Sequence, residues 1–208
     1  GGGYAVLLVL ALATPLGSGG CAGRSAGGGS TLAKGAAFET KVCRLEDPYA
    51  CQRACTAGDH HACARAGVMQ QAGLGAQANA VAAEANYRKA CKGGSAPGCV
   101  FLGKLLYRAK RDSAGAVAAL SRACELGSVA GCTSYGGFLQ DGDGVAKDVP
   151  RAISFYEKGC KADYLPACLN LAFARLQGVG VPRDAAAARG EFRRLCKRGL
   201  LQACVNLG

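Results

Sequence analysis

The chain has 208 residues, a formal net charge of +11, 50% hydrophobic residues, 6% aromatic residues and 13 cysteines. The apolar fraction excludes a wholly disordered chain, and the length suffices for one or two domains with a sizeable core. Thirteen cysteines argue against a reducing cytosol, because disulfides form and persist in oxidising compartments.

The N-terminal segment is typical of an export signal. Residues 4–16 form an apolar run of 13 residues, too short to span a bilayer as a helix but matching the hydrophobic region of a signal peptide. Because a Met and a charged leader would normally precede such a run, we expect the natural chain to begin before Gly1. We therefore predict a signal peptide with a truncated start over residues 1–20.

Cys21 follows small residues in a pattern that resembles a bacterial lipobox, in which the cysteine is acylated and becomes the mature N-terminus. Ser18 departs from that pattern, since Leu is usual there, and a plain cleavage site with an unpaired Cys21 is the alternative. We predict lipidation of Cys21 and a Gly/Ser-rich tether, together covering residues 21–39. Either route leads to an oxidising compartment: the bacterial periplasm or outer membrane for a lipoprotein, the exterior for a secreted chain.

The other twelve cysteines form six pairs with the same C-x7-C spacing: Cys43/Cys51, Cys55/Cys63, Cys91/Cys99, Cys124/Cys132, Cys160/Cys168 and Cys196/Cys204. From the second pair onward, the first cysteine recurs after 36, 33, 36 and 36 residues. A period of this length is typical of arrays of helical hairpins. It predicts an N-terminal cap over residues 40–62, followed by repeats over 63–98, 99–131, 132–167 and 168–203 and a partial repeat over 204–208.

Each repeat predicts two helices. Helix A starts near the second cysteine of a pair, and a Gly-x-Gly loop follows it in all full repeats except the shorter one of 33 residues. Helix B starts at an N-cap residue, carries Ala and an aromatic or Leu residue on the face of its final cysteine, and ends at a left-handed residue. The predicted caps are Asn79, Asp112, Asp148 and Asp184, and the predicted stops are Gly58, Gly94, Gly127, Asp163 and Gly199.

The pairing of the cysteines follows from distance. Eight residues of helix span about 12 Å, whereas bridged cysteines need Cα atoms roughly 4.4–6.8 Å apart. The reversal at the end of helix B brings the two cysteines of a pair together, so we predict six disulfides within the pairs and none between repeats. Cys51 and Cys55 share a helical face, and an exchange of partners among Cys43, Cys51, Cys55 and Cys63 is the alternative there. Metal ligation would instead favour C-x2–4-C spacing.

Four features carry a resemblance to a known family: the C-x7-C pairs, the alanines of helix B, the Leu-Gly sequences after second cysteines, and the loop GVGVPRD at residues 178–184. Over residues 40–208 the chain resembles the Sel1-like repeats, relatives of the tetratricopeptide repeat, and in particular their cysteine-rich secreted bacterial members. The resemblance implies an all-α, right-handed solenoid of antiparallel helix pairs, whose concave face would bind a protein or peptide partner.

Two short motifs invite a metal interpretation. The sequence DGDG at residues 141–144 suggests a calcium loop, but an EF-hand would need Gly at Ala146 and Glu at Ala152. We therefore interpret it as a structural turn. His60 and His61 are the only histidines and lack evident partners for a metal or catalytic site, so we predict solvated turn residues.

The positive charge has a structural explanation. Cations near the end of a helix complement its dipole, and eleven of the 25 basic residues lie near the predicted ends of helix B: Arg53, Arg88, Lys89, Lys92, Arg122, Lys158, Lys161, Arg193, Arg194, Lys197 and Arg198. An anionic partner at the envelope is the alternative. No nucleic-acid motif occurs, export argues against nucleic acid, and the membrane would be reached only through the lipid anchor.

We predict a secreted or lipid-anchored scaffold that binds protein or peptide partners at the bacterial envelope. The alternative, carried by the resemblance alone, is β-lactam hydrolysis, because cysteine-rich members have been described as penicillin-binding or β-lactamase proteins. The sequence lacks S-x-x-K and the His clusters of zinc β-lactamases, and a disulfide sulfur is no nucleophile. The remaining candidates for a nucleophile are four tyrosines: Tyr87, Tyr107, Tyr135 and Tyr156. Packing in the helices is a better explanation for Tyr87, Tyr135 and Tyr156. The sequence predicts no catalytic residue, no metal ligand and no cofactor.

Overall fold

The computed structural model describes residues 48–75 and 77–207, and this part of the chain contains helices, turns and loops but no strand. Its ten helices are α1 (Pro48–Thr56), α2 (His60–Ala72), α3 (Ala80–Lys92), α4 (Ala96–Lys110), α5 (Ser113–Glu125), α6 (Val129–Asp141), α7 (Val149–Lys161), α8 (Leu165–Gln177), α9 (Ala185–Lys197) and α10 (Leu201–Val205). The predicted all-α class is confirmed. Over the same residues, no helix has the length and apolar character needed to cross a membrane. The predicted signal peptide, tether, lipidated Cys21 and Cys43 lie outside the described residues.

The odd-numbered helices correspond to helix B, and both of their ends agree with the sequence. The four predicted caps, from Asn79 to Asp184, each accept a hydrogen bond from the backbone N–H three residues ahead, at 2.8–3.1 Å. The five predicted stops all have positive φ, from 59° at Asp163 to 101° at Gly58. Local side-chain and backbone chemistry therefore fixes where helix B begins and ends.

The even-numbered helices correspond to helix A and begin three residues before the second cysteine, close to the predicted start. The reason is an N-cap residue before each of α2, α4 and α6: the side chains of Asp59, Ser95 and Ser128 accept hydrogen bonds from the first turn. Helix α4 also runs on to Lys110, because its repeat lacks the Gly-x-Gly loop, and Arg111 follows with a φ of 54°.

The helices stack into an α-solenoid in which the core runs along the array. Each helix packs against the next along the chain, and α4 also contacts α2 and α6. One cluster of buried side chains extends from α3 to α8, and a second joins α8, α9 and α10. The residues on the predicted inward face of helix B are fully buried, each with at most 1% of its own surface exposed: Ala83, Tyr87, Ala116, Leu120, Ala152, Tyr156, Ala188 and Phe192.

Disulfides join the end of each helix B to the start of the following helix A. Within the described residues they are Cys55–Cys63, Cys91–Cys99, Cys124–Cys132, Cys160–Cys168 and Cys196–Cys204, with Cα atoms 4.4–4.7 Å apart. The predicted pairing is confirmed for these five, and the alternative exchange involving Cys55 and Cys63 does not occur. Cys51 is also disulfide-bonded, and its predicted partner Cys43 is not among the described residues.

Candidate functional site

A cleft of about 330 Å³ opens beside the Cys160–Cys168 disulfide, where α7, α8 and α9 meet. The disulfide and the buried side chain of Leu171 form its apolar part. The rest of the lining is charged and consists of Glu157, Lys161, Arg175, Glu191 and Arg194. The cleft therefore combines a fixed apolar surface with charges of both signs.

Helical spacing explains why these side chains meet. Glu157 and Lys161 are four residues apart on α7, as are Leu171 and Arg175 on α8, so each pair shares one helical face. On α9 a pair three residues apart, Glu191 and Arg194, shares a face in the same way. Each of the three helices thus contributes one pair to the cleft.

Arg194 is held in place within the cleft. Its Nη2 donates to Oε1 of Glu191 at 2.6 Å, its Nε donates to Oε2 of the same carboxylate at 3.0 Å, and Nη2 also lies 3.6 Å from Sγ of Cys168. The hydrogen bond to Glu191 is the main cause that raises the pKa of Arg194 above its usual value. This bidentate pair links α9 to the disulfide and leaves Glu191 with its charge compensated.

The remaining charged side chains of the cleft are not compensated in this way. Among residues 48–75 and 77–207, no hydrogen bond or ion pair engages the side chains of Glu157, Lys161 or Arg175. Arg175 is half-buried, whereas Glu157 and Lys161 are exposed. Three cations and two carboxylates line the cleft, so one positive charge is left in excess.

The cleft does not suit a metal ion. The sulfur atoms of Cys160 and Cys168 and a carboxylate oxygen of Glu191 lie within 4.8 Å of one another. However, the two sulfurs are joined in a disulfide, and the metal ligand of cysteine is the thiolate. The carboxylate of Glu191 is already bound to Arg194.

The two histidines lie elsewhere and correct one prediction. His60 and His61 form the first turn of α2 instead of a solvated turn, because Asp59 caps the helix by accepting from the N–H groups of His61 and Ala62. His60 is half-buried and packs against Gly93, and Nδ1 of His61 lies 3.4 Å from the Ser95 hydroxyl. His60 therefore packs within the helix array, whereas His61 is exposed, as predicted for a solvated side chain.

The tyrosines have the packing roles that the sequence predicts. The buried Tyr87 donates its hydroxyl hydrogen to Oε1 of Gln71 at 2.8 Å, and burial raises its pKa to about 12. Burial also raises the pKa of Tyr156. Tyr135 packs near Phe155, with the guanidinium of Arg151 5.5 Å from its ring centroid. Tyr107, for which the sequence predicts no role, packs edge-on against Phe138 at 5.0 Å.

Many of the helix-end cations have partners, in agreement with their structural explanation. Lys89 donates to the carbonyl of Cys55 at the end of α1, at 2.7 Å. Arg198 forms a bidentate ion pair with Asp163 across the array. Further ion pairs within one helix join Arg88 to Glu84, Arg122 to Glu125 and Arg194 to Glu191.

Sequence reasoning missed three residues of the cleft: Glu157, Arg175 and Glu191. A signal was present, because alignment of the repeats on their cysteines places them at the positions of Gln52, Gln70 and Asn86 in the first unit. Those three amides meet in space: Nδ2 of Asn86 donates to both glutamines at 2.8 Å, and Gln70 donates to Gln52 at 3.2 Å. The equivalent positions in the fourth unit carry two carboxylates and a guanidinium.

Comparisons with known proteins agree with this architecture. A family model described as the Sel1 repeat matches residues 60–95, 129–164 and 165–199. A solved Sel1 repeat protein from Oxalobacter formigenes is similar at 27% identity with a TM-score of 0.71, covering 78% of this chain and 66% of that protein. The protective antigen c5321 of uropathogenic Escherichia coli, which displays an SLR fold, is similar at 24% identity with a TM-score of 0.66, covering 78% of this chain and 36% of the antigen.

The cysteine rich protein B of Helicobacter pylori is similar at 33% identity with a TM-score of 0.44, covering 58% of this chain and 89% of that protein. A search of the curated proteins finds no significant match. The chain thus spans slightly less than two thirds of the Oxalobacter protein and little more than one third of the Escherichia coli antigen.

Proposed function

Because the chain belongs to the Sel1 repeat family, we propose that it is an exported scaffold that binds protein or peptide partners at the bacterial envelope. The Sel1 repeat is suited to protein–protein interaction. The observation that carries the proposal is the charged cleft between α7, α8 and α9, whose floor is held by a disulfide and whose cations include an unpartnered guanidinium within the described helices. Such a fixed surface loses little entropy when a partner binds.

Multiple disulfides indicate an extracellular or periplasmic protein. The finer address is part of the proposal: a signal peptide over residues 1–20 and an acyl group on Cys21 that tethers the repeats to the envelope. The supporting pattern is the apolar run followed by small residues and a cysteine outside the C-x7-C pairs. The repeat boundaries at residues 63, 99, 132, 168 and 204 belong to the same proposal.

Neither alternative function gains support from a specific contact. Four of the helix-end cations are engaged with carboxylates, which makes them less available to an anionic polymer: Arg88, Arg122, Arg194 and Arg198. β-Lactam hydrolysis would need an activated nucleophile. Raised pKa values make the hydroxyls of Tyr87 and Tyr156 harder to ionise. Turnover of a chromogenic cephalosporin in proportion to purified protein would contradict this reasoning.

Capture from a bacterial envelope extract tests the proposal. Full-length protein exported and oxidised in a bacterium is used as bait, and the same bait reduced and alkylated is the matched control. We expect discrete proteins to be retained by the oxidised bait at about 0.5 M salt, where exposed charge pairs are strongly screened. Recovery of glycan or lipid polymers alone, or equal recovery on the reduced bait, would contradict a folded protein-binding scaffold.

A further inference from the structure

We propose that the cleft beside Cys160–Cys168 binds a single carboxylate of a peptide segment through Lys161 and Arg175. This inference rests on the proposed scaffold function and names the chemistry that the scaffold recognises.

In the first unit the three positions form a closed network. Gln52, Gln70 and Asn86 satisfy one another through hydrogen bonds of 2.8–3.2 Å. In the second and third units, the middle of the three positions, which is that of Gln70 in the first unit, is occupied by the buried Leu106 and Leu139. These positions therefore lie at the junction of three helices, and in these units internal contacts occupy them.

The fourth unit replaces this closed arrangement with an open one. Its middle position is Arg175, flanked by Glu157 and Glu191, and about 330 Å³ of open space adjoins these side chains. Glu191 turns to Arg194 instead of Arg175. Arg175 is half-buried as a residue, it borders this open space, and its guanidinium has no protein partner in the described part of the chain, so its donors are available to an anion.

The charge of the cleft selects the kind of anion. Its lining leaves one positive charge in excess, which matches one carboxylate and not a doubly charged phosphate. The planar guanidinium of Arg175 suits bidentate binding of a carboxylate, and Lys161 adds a second donor. Glu157 accepts a backbone N–H of the peptide and repels a second negative charge.

The size of the cleft selects the kind of partner. A volume of about 330 Å³ lies at the small end of the range of about 300–1,000 Å³ for ligand pockets. It accommodates one or two residues of an extended peptide, whose aliphatic atoms would lie on Leu171 and the disulfide. The carboxylate is that of an Asp or Glu side chain or of a chain terminus, and the experiment below separates these sources.

Nuclear magnetic resonance titration of the oxidised protein tests the inference. Three alanine-based hexapeptides serve as probes: one with a free C-terminal carboxylate, one amidated with an internal Glu, and one amidated without charge. We expect saturable shifts of the Arg175 Nε–H signal with at least one of the charged peptides and none with the neutral peptide. Binding of the free-terminus peptide alone identifies a chain terminus, and binding of the Glu peptide identifies a side chain. Equal binding of all three, or of none, would overturn the proposal.

Variants with matched controls separate the cleft from general charge. Arg175→Gln should weaken binding at least tenfold, whereas Arg189→Gln, an exposed position on α9 outside the cleft, should change it less than twofold. Glu157→Gln removes an exposed carboxylate and should strengthen the binding of inorganic phosphate at least threefold. In a separate titration, this variant should still bind the peptide. Unchanged peptide binding in Arg175→Gln, or stronger binding of phosphate than of carboxylate by the unsubstituted protein, would contradict the inference. If Arg175→Gln still captures the envelope partners, the proposed role of the cleft is refuted but the scaffold function is not. If neither protein captures a partner, the scaffold function itself is refuted.

Discussion

The same substitution, Gly→Ala, should have opposite effects on stability at two helical positions. Gly67 lies on α2, where an added Cβ would be 2.5 Å from Cε1 of Tyr87 and 3.1 Å from the carbonyl oxygen of Ala83. Gly190 lies inside α9, exposed, and an added Cβ would meet no atom within 4 Å. The pair therefore isolates the effect of close packing from that of helix propensity.

The magnitude follows from two opposing terms. Replacing Gly by Ala in a helix stabilises by about 0.5–1 kcal/mol, and this is the whole effect expected for Gly190→Ala. At Gly67, overpacking costs about 1–3 kcal/mol. The ring of Tyr87 cannot easily withdraw, since it is fully buried and its hydroxyl is held by Gln71 at 2.8 Å. The difference of the two terms is a loss of up to about 2.5 kcal/mol, so we expect Gly67→Ala to lower the free energy of unfolding by about 1 kcal/mol.

Thermal melts followed by circular dichroism on the oxidised proteins measure both effects. In a domain of this size 1 kcal/mol corresponds to a shift in Tm of about 2–4 °C, so the two variants should move Tm in opposite directions. Gly136→Ala is an internal comparison and should cost less than Gly67→Ala, because its added Cβ would be 2.9 Å from the Tyr156 ring. A Tm for Gly67→Ala at or above that of the unsubstituted protein would refute the reasoning.

The sequence predicted those parts of the fold that local chemistry determines. The caps from Asn79 to Asp184 and the left-handed stops are set by residues within a few positions of the helix ends, so a single repeat suffices to identify them. The cysteines locate the start of helix A only approximately: the sequence predicts it near the second cysteine, and the helix begins three residues earlier, where Ser95 and Ser128 cap it. The cysteines mark the disulfide, whereas the serine side chains mark the helix.

The cleft could not be predicted in the same way, because it depends on packing between three helices. Glu157, Arg175 and Glu191 come from different helices, and each alone resembles an ordinary surface residue. The repeat nature of the chain offers the missing information. The equivalent residues of the first unit, separated by 18 and 16 positions, touch one another, which shows that the spacing itself brings three side chains together.

Three further predictions test individual contacts. Tyr87→Phe should lower the free energy of unfolding by about 0.5–1.5 kcal/mol, because the hydrogen bond to Gln71 is lost. Tyr156→Phe should not lower it, because no described residue pairs with that buried hydroxyl. Denaturant titration compares the two variants, and a larger loss for Tyr156→Phe would contradict this prediction. Replacing both Cys91 and Cys99 by Ala should lower the free energy of unfolding by about 2.5 kcal/mol in the same titration, because the disulfide closes a short loop in the unfolded chain. An unchanged denaturation midpoint would show that the disulfide does not stabilise the fold. The last prediction concerns acid. A hydrogen bond from Arg198 is the main cause that lowers the pKa of the Asp163 carboxyl, so the ionised pair stabilises the fold above the usual Asp pKa of about 3.9 and this contribution is lost as pH falls through the lower folded value. Asp163→Asn retains a residue that tolerates the positive φ but removes the charge. The advantage in Tm of the unsubstituted protein over Asp163→Asn should therefore be constant above about pH 5 and shrink below about pH 4, and an advantage that grew on acidification would show that the ion pair does not act this way.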